Sequence, residues 1–159
     1  MYTEQITAAA TLADLERLPI TVEYTGETTP PNWGGQLCDS WRVDISGRSF
    51  EYFTGLGHRK AAPFSPPCTA PAGTIARLEW EKKHLKPTPP PVADILHCLA
   101  LDAGAFFVSF YDWCDDYGYS PRDIHARDIY AACIRTADKL LDIFSREELA
   151  RISALTADL

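Results

Sequence analysis

A chain of 159 residues, 46% hydrophobic and 23% charged, has the composition of one globular domain large enough to bury a core without disulfides or metal, and this excludes wholesale disorder. Its net charge of −7 divides into −3 over residues 1–60, +2 over 61–91 and −6 over 92–159, from eight acids against five Lys and Arg, two against four, and twelve against six. An acidic surface repels polyphosphates, which disfavours non-specific nucleic-acid binding through the C-terminal half and suits either a basic partner or a surface merely kept soluble by its charge.

No apolar run approaches the roughly 20 residues that span a membrane, and the N-terminus MYTEQITAAATLADLERL lacks the basic start and apolar block of a signal peptide, so a cytoplasmic protein is expected. Cys38, Cys68, Cys98, Cys114 and Cys133 are odd in number, widely spaced and without a C-x-x-C pair. They read as core residues or free thiols, with no disulfide framework and no metal site.

In chain order, Thr3 or Thr11 is placed to cap a short Ala-rich helix that ends before Pro19. Ile20–Thr25 and Ser40–Ser46 alternate apolar and polar residues with the period of half-buried strands, separated by a Pro- and Gly-rich insertion. Gly47-Arg48 supplies a glycine-first hairpin turn, and SFEYFT completes a three-stranded antiparallel meander in which Phe50 and Tyr52 on one face and Phe53 on the other predict apolar contacts on both. Residues 61–91 hold eight of the twelve prolines and read as an extended connector, with one or two helical turns in TIARLEWEKKHL.

The remainder reads as a bundle of about four helices. Val92, Ile95, Leu96, Leu99 and Ala103 form one stripe; Ser109 and Asp112 resemble a capping box before Phe110, Trp113, Cys114 and Tyr117. Ser120 with Pro121 is placed to open the long helix that runs to Phe144, and Ser145 with Glu148 a last short one. The expectation is a single α+β domain over 1–159: a meander with an N-terminal helix over 1–60, the Pro-rich connector over 61–91, and helices over 92–159.

Two constellations stand out. In YFTGLGHRK, Gly55 and Gly57 with His58, Arg59 and Lys60 suggest an anion or nucleic-acid loop, with Arg77, Lys82, Lys83 and Lys86 near it in sequence. Against that, Ala61, Ala62 and Pro63 follow where a phosphate cradle gains from a helix N-terminus, and neither a Walker nor a Rossmann glycine pattern is present. The order helix, three strands, basic loop resembles a double-stranded-RNA-binding domain, except that proline replaces its basic helix. The second constellation is acidic: Asp112, Asp115, Asp116 and Asp123, with Tyr119 among them, read as a partner-binding surface or as a solvated helix face. These carboxylates lack the D-x-D-x-D-G order of a calcium loop and an acid–base partner, and no catalytic residue, metal or cofactor is expected.

YFTGLGHR, the proline-rich seam, PPVADILHCLALDA, SFYDWCDDYGYS and IYAACIRTADKLL, in that order, resemble a set of small proteins encoded by phages and prophages of proteobacteria. In that set a hairpin ending in Y-x-T-G-x-G-H-R precedes a P-x-A-D-[IV]-L helix and an S-F-x-[DE]-W-C-x-[DE]-x-G-Y element, a likeness spanning about residues 20–144. The resemblance implies an infected or lysogenic bacterial cell as the setting and carries no catalytic residues. The expectation is a non-enzymatic accessory protein that binds a host protein, such as a CRISPR–Cas or other nucleic-acid-binding defence complex. The alternative is a nucleic-acid-binding factor acting through residues 55–60.

Overall fold

The computed structural model describes residues 12–30 and 33–159. The expected cap residues Thr3 and Thr11 lie outside that range, which takes up the chain at helix α1, Leu12–Glu16. Strands β1 (Thr21–Thr28), β2 (Cys38–Ile45) and β3 (Arg48–Gly55) form the antiparallel sheet β1-β2-β3. Opposing pairs such as Val22↔Val43, Val43↔Phe50 and Trp41↔Tyr52 put the apolar alternation of all three strands on one side. The turn between β2 and β3 is Ser46-Gly47, one residue earlier than the glycine-first reading, because Ile45 pairs with Arg48. Both turn residues have positive φ (50° and 81°), the two-residue hairpin form whose twist matches the strands.

The expectation of two apolar sheet faces holds for one. On the other, Arg42 reaches Glu23 at 3.0 Å and Asp44 at 3.3 Å, and Phe53, opposite Ser40, is only half-buried. The apolar face meets helices α3 (Val92–Ala103), α5 (Ile124–Leu141) and α6 (Arg146–Leu155). Val43, Ile45, Phe50, Ile95, Leu140 and Phe144, each at most 4% exposed, belong to one cluster, so the sheet and the helices share a core. No described helix is long and apolar enough to cross a membrane.

Long-range polar contacts hold this arrangement in register. Pro91, at the N-cap of α3, offers no side-chain acceptor. Glu16 of α1 takes that place, accepting from the N–H groups of Val92 (2.9 Å) and Ala93 (2.7 Å) and setting a carboxylate on the positive end of the helix.

Residues 61–91 do not cross the molecule in extended form. β4 (Lys60–Ala61) and β5 (Leu85–Lys86) pair antiparallel, so the segment leaves the body and returns to its own starting point. Between them lies α2, Ile75–His84, ten residues long and capped by Thr74, with no buried residue along it. Trp80 ties this arm together by donating from Nε1 to the Pro66 carbonyl at 3.2 Å.

Helix α4, Phe110–Tyr117, is joined to α3 by a tight helical turn, Gly104–Phe107. The long helix α5 begins at Ile124 with Asp123 as its cap, rather than at Ser120-Pro121. Ser120 instead accepts from the Arg122 N–H at 3.3 Å, closing a local turn ahead of the helix. Ser145 and Glu148 do form a reciprocal capping box at α6.

Candidate functional site

The acidic constellation is built on α4. The Ser109 hydroxyl accepts from the Asp112 N–H at 3.2 Å, and Gly118 ends the helix in the left-handed region (φ 77°), a conformation that favours glycine. At 100° per residue, Trp113 and Cys114 share an inner face, while Tyr111, Asp112, Asp115 and Asp116 share the outer one. The inner face is filled by rings. Trp113, 4% exposed, stacks on Tyr119 with centroids 5.0 Å apart and planes within 3°, and meets Tyr130 edge-on at 5.4 Å. The Tyr130 hydroxyl donates towards the carbonyls of Ala105 (3.3 Å) and Val108 (2.9 Å), fastening α5 to the turn before α4.

The outer face has no such cover. Asp112, Asp115 and Asp116 are all exposed, and Tyr111 beside them is 63% exposed. An open cavity of about 610 Å³ adjoins it, lined by Tyr111, Ser120, Pro121, Arg122 and Arg127. The Arg127 guanidinium lies 4.6 Å over the Phe110 ring.

Of the five residues expected at this surface, three lie together on the outer face. Tyr119 is held against Trp113 on the opposite side of the helix. Asp123 caps α5, accepting from the His125 N–H at 2.9 Å. Sequence reasoning did not single out Phe106, Phe107 and Val108, exposed by 48%, 44% and 36% on the preceding turn. The available signal was the run Ala105-Phe106-Phe107-Val108, four successive apolar residues after Gly104 that a tight turn and its exit cannot all bury. Burial pushes the Cys114 thiol up, and Asp115 adds to the effect against Arg127, so the surroundings favour the thiol over the thiolate.

The basic loop is organised differently from an anion cradle. Gly55 has φ −67° and Gly57 is not among the glycines of positive φ, so the alternating backbone of a nest is absent there. A Cβ at Gly57 would meet nothing within 4 Å, and one at Gly55 only the His58 ring at 3.7 Å. The residues after Gly55 form a single tight turn, Leu56–His58, that leads into β4 and not into a helix.

Arg59 is committed elsewhere. Its Nε donates to Asp39 Oδ2 at 2.9 Å, and its Nη2 to Asp39 Oδ1 at 2.6 Å and to Glu27 Oε1 at 2.8 Å. These bonds, to Asp39 first, hold the guanidinium pKa above its ordinary value. Asp39 is 1% exposed because it sits on the same side of β2 as Trp41, Val43 and Ile45; it also accepts from the Tyr24 hydroxyl at 3.2 Å. The anion-loop assignment of Arg59 is therefore corrected to a structural clamp joining the loop to β1 and β2. His58 and Lys60 remain exposed.

All five cysteines are free, and the described residues contain no group of three or more His, Cys, Asp or Glu side chains placed to hold a metal ion. No family model, curated protein or solved structure matches the chain.

Proposed function

We propose that the chain is a non-enzymatic protein-binding module whose α4 face docks on a basic surface of a partner protein. The observation that carries this reading is Tyr111, 63% exposed among three exposed carboxylates on one helix face whose other side is locked by stacked rings. Such a face is rigid before binding, so little ordering entropy is lost on docking. Its aspartates steer a basic partner, while the ring supplies the desolvated contact.

In the finer reading the partner is a host protein in the bacterial cytoplasm. The chain would then be a phage or prophage product that covers a basic nucleic-acid surface of a defence complex such as CRISPR–Cas. The support for this is the sequence resemblance together with the −6 balance of residues 92–159.

The test is capture from a nuclease-treated bacterial lysate with the wild-type chain and with Asp112→Lys/Asp115→Lys/Asp116→Lys. A stoichiometric protein should survive nuclease and bind the variant about a hundredfold more weakly, the effect of placing like charges against each other at three positions. Undiminished capture by the variant contradicts the proposal.

A further inference from the structure

The arm formed by residues 60–86 carries three features that its own fold leaves uncompensated. Pro63-Phe64 is the centre of a turn closed by the Ser65 N–H to Ala62 carbonyl bond at 3.1 Å, and Phe64 has φ +65° at the position where such turns favour glycine. The Phe64 side chain is also 104% exposed, so its backbone strain brings no packing within the chain. Lys60 lies directly opposite Lys86 in the β4–β5 ribbon, a like-charge pair that disfavours the ribbon. On α2, Ile75, Leu78 and Lys82 follow one another at i, i+3 and i+7, with Ile75 and Leu78 exposed by 76% and 59%.

An aromatic tip, an apolar helix stripe and repelling lysines together fit a partner surface that is acidic, aromatic and indented. The same chain presents one. Tyr111 stands among Asp112, Asp115 and Asp116 beside the open cavity of about 610 Å³, whose wall also carries Arg122 and Arg127, so the acidic part of this surface is the outward face of α4 and the cavity offers guanidinium groups to an aromatic ring. We infer that the arm docks on the α4 face of a second copy, with Phe64 entering the cavity beside Tyr111 and Pro121 and the lysines meeting the aspartates.

This inference rests on the reading of the α4 face given above and names a second occupant for it. A ten-residue helix about 15 Å long and about 10 Å wide presents a face on the order of 150 Å², well short of the roughly 800 Å² per partner of a standard interface, so the exchange is taken as reciprocal and the dimer as weak. Arm and partner protein then compete for the α4 face, so self-association holds the module in reserve.

The experiment is sedimentation equilibrium of the full chain over rising concentration at low and high salt. The wild type should pass from 17.7 kDa towards twice that mass at low salt and return towards the monomer as salt screens the charges. Phe64→Gly relieves the backbone, so it should melt higher than wild type and yet self-associate at least tenfold more weakly, which separates lost docking from lost folding. Lys60→Glu/Lys82→Glu/Lys86→Glu should abolish association alone and regain it when combined in one chain with Asp112→Lys/Asp115→Lys/Asp116→Lys. A wild type that stays monomeric at every concentration overturns the inference, as does a Phe64→Gly chain that associates like wild type. Either result leaves the α4 reading standing, because Phe64→Gly does not touch that face; the lysate capture with the aspartate variant tests that reading separately.

Discussion

Replacing Arg59 with methionine keeps most of the side-chain volume and removes the one cation bonded to Asp39 among the described residues. The Asp39 carboxylate, 1% exposed, loses two donated hydrogen bonds of 2.9 and 2.6 Å and keeps the Tyr24 hydroxyl at 3.2 Å. Breaking a buried pair from one side costs about 3–5 kcal/mol, and the remaining hydroxyl sets the loss at about 3 kcal/mol. With a urea slope of about 1.5 kcal/mol/M, the midpoint falls by roughly 2 M, and the melting temperature falls by about 6–12 °C. Adding Asp39→Leu removes the stranded charge and should recover most of that loss, since a buried pair and a well-packed apolar pair are of similar stability. A single-variant loss below about 1 kcal/mol, the range of a solvated surface pair, would refute the clamp.

Two further outcomes follow from the same contacts. Glu16→Ala leaves the first N–H groups of α3 without their carboxylate and should cost about 1–2 kcal/mol by urea titration; Glu16→Gln should cost less, and equal stability of all three chains would contradict the cap. The Asp102 carboxyl is pushed up to about 6 by desolvation, with a hydrogen bond from Cys133 acting the other way. Because this folded value exceeds the ordinary one of about 3.9, the folded state takes up a proton first, so this group adds stability as pH falls from 7 towards 4 and withdraws it as pH rises through 6. Asp102→Asn should therefore raise stability more at pH 7 than at pH 4, by a modest amount because part of the residue stays open to water and screens the effect; a pH-independent difference between the two chains would refute the assignment.

The meander was legible because alternation of period two admits one register for a buried face, and the helices because caps and apolar stripes are local signals. Extending the Trp41, Val43, Ile45 stripe back by two residues places Asp39 on the buried side, so a carboxylate needing a partner could have been foreseen. That its partner is Arg59, twenty residues on, could not, and neither could the capping of α3 by Glu16 across 76 residues, since both depend on how the chain returns on itself. The proline count suggested a crossing because proline favours extended backbone, but the two-residue pairing of Lys60–Ala61 with Leu85–Lys86 is too short to leave a pattern. On α4 the aspartates were legible as a cluster, whereas separating the outward three from the capping Asp123 required the helix boundaries. Exposure of Tyr111 required the packing of Trp113 on Tyr119.

We propose the outward face of α4 as the seat of a partner protein. Its most direct test is photo-crosslinking in nuclease-treated bacterial lysate, with the reactive side chain placed at position 111 in one chain and at position 58 in another. The expected result is a discrete protein adduct from position 111 that disappears in the Asp112→Lys/Asp115→Lys/Asp116→Lys background, and none from position 58. An adduct from position 58 alone, or one from position 111 that survives the charge reversal, would contradict it.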